Sequence, residues 1–187
     1  MIRANGNRSR ELLWSVVALC GLWGPAWSQR IAAEDLHSED SVKAAFVLRF
    51  AGYIEWPEDA VQGETFTIAV LGSGNVATQL QTLGSGRALL NRPVQIRRIT
   101  SIQDVGDARI VYVGTDRRGD LRKVLAALAG RSVLVISSED AALAAGSTIN
   151  LLVADQRVRF EVSLAAARQA RLRISSELLS LAVRVQK

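Results

Sequence analysis

The sequence predicts an α/β fold: a single compact domain whose mostly parallel sheet has about six strands, an antiparallel hairpin edge and helices on both faces. Three observations predict it. Near-continuous apolar runs such as Phe66–Leu71 and Ile110–Val113 read as strands covered on both sides. Strand and helical patterns alternate four times, which is how parallel strands joined by crossover helices appear in a sequence. Two further runs, Thr148–Val153 and Arg157–Val162, flank the tight connection Ala154-Asp155-Gln156, the mark of a hairpin.

The first element is a helix within Val42–Pro57. Val42, Phe46, Phe50, Tyr53 and Ile54 share one side, and Ala45, Val47 and Leu48 widen the stripe until only Lys43 and Arg49 want water. Ser38 is its expected N-cap, Glu39 and Asp40 place negative charge in the first turn, and Pro57 ends it. Glu58–Glu64 is a polar connection to strand Phe66–Leu71. Gly72-Ser73-Gly74-Asn75 then turns into a helix over Val76–Leu83, ended by Gly84–Gly86. Strand Arg92–Ile99, one helical turn at Ser101–Val105 and strand Ala108–Gly114 follow. Arg118–Ala129 is an amphipathic helix closed by Gly130. Ser132–Ser137 is a strand and Glu139–Ala145 a short helix. After the hairpin, Ala165–Arg171 and Ser176–Val185 read as helices, the second capped by Ser175.

Residues 1–28 read as a signal peptide. Arg3, Arg8 and Arg10 make a positive start, and Leu12–Trp23 is an apolar run too short to span a bilayer comfortably. Pro25-Ala26-Trp27-Ser28 then offers small residues where a signal peptidase reads. A lipoprotein signal is disfavoured, because Leu19 precedes Cys20 where a small residue is wanted. The remaining chain, 29–187, has no cysteine, so an exported domain must be held by its core alone. It carries 20 Lys+Arg against 17 Asp+Glu, a mild basic excess that suits a soluble surface. Nucleic-acid binding needs a concentrated basic stripe and a compartment that holds nucleic acid, so none is expected; nor is a membrane span after Ser28.

Chemistry has few places to sit. Gly72-x-Gly74-x-x-Ala77 lies between a buried strand and a helix, where a dinucleotide-binding turn brings phosphate to backbone amides. Arg97 and Arg98 end the next strand and could face a ribose phosphate, although no acidic residue stands there for a plain ribose. The alternative is that the glycines serve only a tight strand-to-helix turn. Asp116-Arg117-Arg118 follows the third strand and would lie near that turn, as an anion pocket or as a helix cap with solvated arginines. Gly72, Ser73, Gly74, Asn75, Arg117 and Arg118 are therefore the candidate ligand-binding residues. His37 is the only histidine and stands just ahead of the first helix. With no thiol beside it, neither a metal site of the usual ligands nor a base-and-nucleophile pair is expected. No catalytic constellation, metal or cofactor is expected. Val158-Arg159-Phe160-Glu161-Val162 leads into Ser163-Leu164-Ala165-Ala166-Ala167. With Val158, Phe160 and Val162 facing the core, Arg159 and Glu161 share the other face, as a plain charge pair or a partner-docking surface.

Two segments together resemble the YfiR family. They are Lys43-Ala44-Ala45-Phe46 running through Phe50 to Glu55-Trp56-Pro57, and Val158-x-Phe160-Glu161-Val162-x-Leu164-x-x-Ala167 with Leu172-x-Ile174-Ser175-Ser176-x-Leu178-Leu179-x-Leu181-Ala182. The resemblance covers essentially all of 29–187. It implies a periplasmic protein that represses an inner-membrane diguanylate cyclase by contacting its periplasmic domain. Release would raise cyclic di-GMP and favour biofilm growth. It also implies a homodimer. The family typically has Asn at Ser163 and Gly at Arg171, and the cysteines that form redox-sensitive bridges in some members are missing, which sets disulfide control aside.

Three functions are in competition. A regulatory binding protein would use Arg159, Glu161, Leu164, Ala167 and Trp56 against its partner. A periplasmic small-anion receptor would use the Gly72–Asn75 turn with Arg117 and Arg118. An NADP-type Rossmann enzyme would need that turn as a dinucleotide site, and the chain lacks a second half to hold a substrate.

Overall fold

In the computed structural model, residues 38–60 and 62–187 are described. The expected leader, Cys20 and His37 lie outside them. Helix α1 spans Glu39–Phe50, with the Ser38 hydroxyl accepting from the Ser41 N–H at 3.2 Å. Both Glu39 and Asp40 are in its first turn, where the helix dipole favours negative charge.

The expected helix to Pro57 stops earlier. After one 3₁₀ turn at Ala51–Tyr53 the chain extends as β1, Ile54–Glu55. That pair is taken up by β9, Arg173–Ile174, in a separate antiparallel ribbon whose Glu55 and Arg173 form an ion pair at 3.2 Å. A non-local partner thus overrides the local helical period. Lys43 does not face water either: its side chain is 10% exposed and its ammonium pairs with Glu39.

Among the described residues the main sheet has eight strands rather than about six, in the order β10-β8-β7-β6-β5-β2-β4-β3. These are β2 Phe66–Leu71, β3 Ala88–Leu89, β4 Arg92–Ile99, β5 Ile110–Val113, β6 Leu134–Ser137, β7 Ile149–Ala154, β8 Arg157–Ser163 and β10 Arg184–Gln186. β4, β2, β5, β6 and β7 run parallel, while β3 is antiparallel to β4 and β8 is antiparallel to β7. The hairpin is not the edge. β10 pairs parallel outside β8, where a helix through Val185 was expected; the helix, α6, covers only Ser176–Leu181. Val183-Arg184-Val185-Gln186 alternates, and β-branched residues at that spacing favour a strand once an open edge is available.

Alternation along the strands feeds two cores. Phe66, Ile68, Val70, Ile110, Tyr112, Leu134 and Ile136 face the side covered by α1 and by α2, Gly74–Gly84. Ala69, Leu71, Val111, Val113, Val133 and Val135 face α3, Leu121–Ala127, and α4, Ala142–Ala145. The α1 face is the aromatic one. Phe160 of β8 stands 5.1 Å from Phe50, edge-on, and 5.7 Å from Phe46, measured between ring centres.

The β7–β8 hairpin turns at Asp155 and Gln156 with φ of 51° and 58°. Two positive φ values in a two-residue loop give a type I′ turn, a conformation that glutamine adopts at a cost. Gln156→Gly is expected to raise stability by about 0.5–1 kcal/mol, read as a higher urea midpoint at constant slope; a lower midpoint would show that the Gln156 side chain contributes more than its backbone strain.

Candidate functional site

The chain order places β2 centrally, goes out to β4 and returns on the other side to β5. The carboxyl ends of β2 and β5 therefore form the crevice where open α/β sheets take ligands. Gly72–Asn75 and Asp116–Arg118 meet there, as expected. What fills the turn is the protein's own anion: the Ser73 N–H donates to Asp116 Oδ1 at 2.7 Å. A Cβ on Gly72 would strike the side chains of Asp116 and Arg117, and one on Gly114 those of Ser73 and Asp116. The glycines are required by a carboxylate of the same chain.

The nearby cations are also engaged. Arg117 pairs with Asp120 at 2.9 Å and donates to the Thr100 carbonyl at 3.1 Å. Lys123, then Arg117, hold the Asp120 carboxyl below the usual range. Arg97 pairs with Asp107, while Arg98 donates to Thr78 Oγ1 and Gln81 Oε1 of α2. Gly74, Asn75 and Arg118 are exposed beside them. An incoming anion would have to displace Asp116 before reaching the Ser73 amide.

The second region is the junction of β8 with α5, Leu164–Gln169. The Ser163 hydroxyl caps α5 by accepting from the Ala166 N–H at 3.2 Å, which fixes where strand gives way to helix. Arg159 is exposed, while Glu161, with only 17% of its side chain exposed, pairs with Arg184 of β10 at 3.0 Å. Leu164 is half-buried, and Ala167 is 2% exposed in the core beside Phe160 and Leu172. Trp56 is elsewhere: its indole N–H donates to the Ala51 carbonyl at 3.4 Å and its ring stands edge-on to Phe66, 5.8 Å away. Phe66 belongs to β2, four strand positions from β8 and so roughly 19 Å across the sheet.

Arg159 and Glu161 therefore share a face of β8, with Leu164 following the strand's end, while Ala167 packs in the core on the Phe160 side and Trp56 stands apart. Sequence reasoning missed Arg184, the partner of Glu161. It also missed the polar row Ser137, Asn150, Glu161 and Arg184, successive cross-strand neighbours on β6, β7, β8 and β10. A lone asparagine inside Ile149-Asn150-Leu151-Leu152 was the available signal.

Tyr112 lies between the two regions. Burial pushes its phenol up, against the opposing effect of its hydrogen bond to Ser138 Oγ at 2.9 Å. A raised folded value means that the neutral phenol stabilises the fold fully below about pH 10. That stability is lost as pH climbs through the folded value. Tyr112→Phe should accordingly flatten the alkaline loss of stability, seen by comparing denaturant midpoints at about pH 8 and about pH 11. Parallel losses in both proteins would assign the alkaline sensitivity to other groups.

The family model described as DUF4154, YfiR/HmsC-like, matches residues 40–183. The chain belongs to the YfiR/HmsC-like family. Among curated proteins, none matches it. Two solved structures resemble this YfiR/HmsC-like domain in fold. One is a conserved domain protein from Vibrio cholerae, with TM-score 0.54 and 10% identity over 80% of this chain. The other is an ABC domain in complex with L-Trp from Streptococcus pneumoniae, with TM-score 0.55 and 11% identity over 76% of this chain. The chain spans 60% of the length of each. At such identities the likeness establishes architecture only. Among the described residues, no helix is long and apolar enough to cross a membrane, and no group of three or more His, Cys, Asp and Glu could hold a metal ion.

Proposed function

We propose that this YfiR/HmsC-like protein is a periplasmic regulator of cyclic di-GMP signalling that represses an inner-membrane diguanylate cyclase by binding its periplasmic domain, and that it turns over no substrate. The family match over residues 40–183 carries the reading. The β8–α5 junction supports it, because Arg159 of β8 and the half-buried Leu164 and Ala165 that open α5 remain accessible to another protein surface. Its test is compartmental. In cells with a cognate cyclase, the exported chain should lower cyclic di-GMP, and the same chain without residues 1–28 should not. Repression by the cytosolic form would overturn the proposal.

The Glu161–Arg184 pair gives a sharper check. Glu161→Lys sets two cations opposite each other on β8 and β10, loosening the strand that borders the junction. It should relieve repression, and adding Arg184→Glu should restore it by re-forming the pair in reverse. A double variant as inactive as the single one would assign Glu161 a contact role of its own.

The anion-receptor reading has the Asp116 carboxylate against it, and the Rossmann-enzyme reading meets the same obstacle at the same turn. Thermal shift with inorganic phosphate on the wild-type protein and on Asp116→Asn decides: a shift of the wild-type protein would revive the receptor.

A further inference from the structure

The β7–β8 ladder is longer than the sheet it belongs to. β6 pairs with β7 only at Ile149 and Asn150, and β10 pairs with β8 only from Glu161 to Ser163. Beyond them the pairs Leu151–Phe160, Leu152–Arg159, Val153–Val158 and Ala154–Arg157 form a two-stranded ribbon that no other strand among the described residues flanks. One face of this arm is anchored, since Leu151 and Phe160 are 1% and 3% exposed in the core under α1. On the other face Arg157 and Arg159 are both exposed, and their cross-strand neighbours are the half-buried Ala154 and Leu152.

Electrostatics single this face out. Arg157 and Arg159 sit two residues apart on one face of a strand, so their charges repel. Among the described residues, neither makes an ion pair or a side-chain hydrogen bond. The acid on the same face, Glu161, is taken by Arg184; the other nearby acid, Asp155, is in the turn and exposed. Among the described residues, folding leaves two like charges together without an acidic partner, on a ribbon that runs past its neighbouring strands.

We propose that this hairpin arm is the docking element for an acidic surface of the partner protein, with Arg157 and Arg159 as the paired recognition charges and Leu152 and Ala154 as the apolar floor between them. This rests on the reading of the protein as a repressor that binds another protein. A second copy meeting the same face across a two-fold axis would bring four arginines together, so the occupant is a different protein. Arginine is suited to the task because its planar fork binds carboxylates two bonds at a time.

The test measures binding of the purified chain to the periplasmic domain of its cyclase at low and at physiological salt. It compares the wild-type protein, Arg157→Glu/Arg159→Glu and Arg157→Lys/Arg159→Lys, each with its melting curve taken as a check of folding. The Glu pair should weaken binding at least tenfold and abolish its salt dependence, while the Lys pair keeps the salt dependence and loses only part of the affinity. Equal affinity of the wild-type protein and the Glu pair overturns the arm as the docking element and leaves the repressor reading intact. No binding by the wild-type protein overturns both. Vesicles of anionic phospholipid form the last arm: charge-dependent binding to them, with none to the cyclase domain, would assign the arginines to a membrane surface instead.

Discussion

Phe160→Ala is expected to destabilise the protein by about 3–5 kcal/mol, the range for deleting a buried aromatic ring. Phe160 is 3% exposed and meets both Phe46 and Phe50. These two residues lie on α1, at the start of the described chain, and Phe160 lies on the strand that anchors the hairpin arm. The loss is therefore not local to β8. It frees the arm's anchored face and loosens α1 from the sheet in one step. Domains of this kind have about 5–15 kcal/mol in total, so the variant should melt roughly 10 °C lower or more and would be expected to accumulate poorly in cells. Phe160→Leu, which keeps most of the volume, should lose less than half as much. Chemical denaturation of both variants checks this. If Phe160→Ala costs under about 1 kcal/mol, the three-ring cluster does not hold α1 to the sheet.

The parts of this fold that could be read in advance are those whose cause is local. β2, β5 and β6 are apolar on both faces because both faces are covered, and a run such as Phe66–Leu71 carries that fact in its own residues. The capping of α1 by Ser38 and of α6 by Ser175 is similarly local. The misreadings arose where a distant residue decided the outcome. Tyr53, Ile54 and Glu55 continue the helical period of α1, but Arg173 and Ile174 pair with the last two as a strand. Lys43 reads as solvent-facing and is instead buried along its stem with Glu39 one turn away, as long cationic side chains allow. Leu181 to Val185 continue an apolar run that suits a helix, but the uncovered edge of β8 draws Arg184–Gln186 into the sheet.

The candidate sites divide along the same line. Alternation in β8 was enough to put Arg159 and Glu161 on one face, and the projection of the arm follows only from where β6 ends and β10 begins. The apolar setting of Ala167 and the packing of Trp56 on Phe66 depend on tertiary contacts that no spacing within either segment encodes. The Gly72–Asn75 turn is open to two readings in sequence, because a glycine-rich loop has the same residues whether a bound phosphate or an aspartate 43 positions away completes it.

Gly72→Ala separates those two possibilities, and it is the other substitution expected to have a large effect. Gly72 has φ of 77°, which an alanine adopts at about 1–2 kcal/mol. The new methyl would also strike the Asp116 and Arg117 side chains. If it expels the Asp116 carboxylate, the Ser73 N–H loses a charge-assisted hydrogen bond worth about 1.5–3 kcal/mol. A total loss of about 2.5–5 kcal/mol is expected, with no ligand present. The cause can be isolated by a cycle with Asp116→Ala. Once the carboxylate is gone, Gly72→Ala should cost only the backbone strain and the remaining contact with Arg117. The two substitutions together should then cost less than their sum, by a margin typical of residues in contact, about 0.5–3 kcal/mol. Strict additivity would mean that Gly72 is not there for Asp116. A Gly72→Ala protein of unchanged stability that has lost affinity for phosphate would return the turn to ligand binding. The aspartate-filled turn predicts the reverse: stability falls, no phosphate affinity is there to lose, and the crevice at the switch point serves to lock β2 against β5.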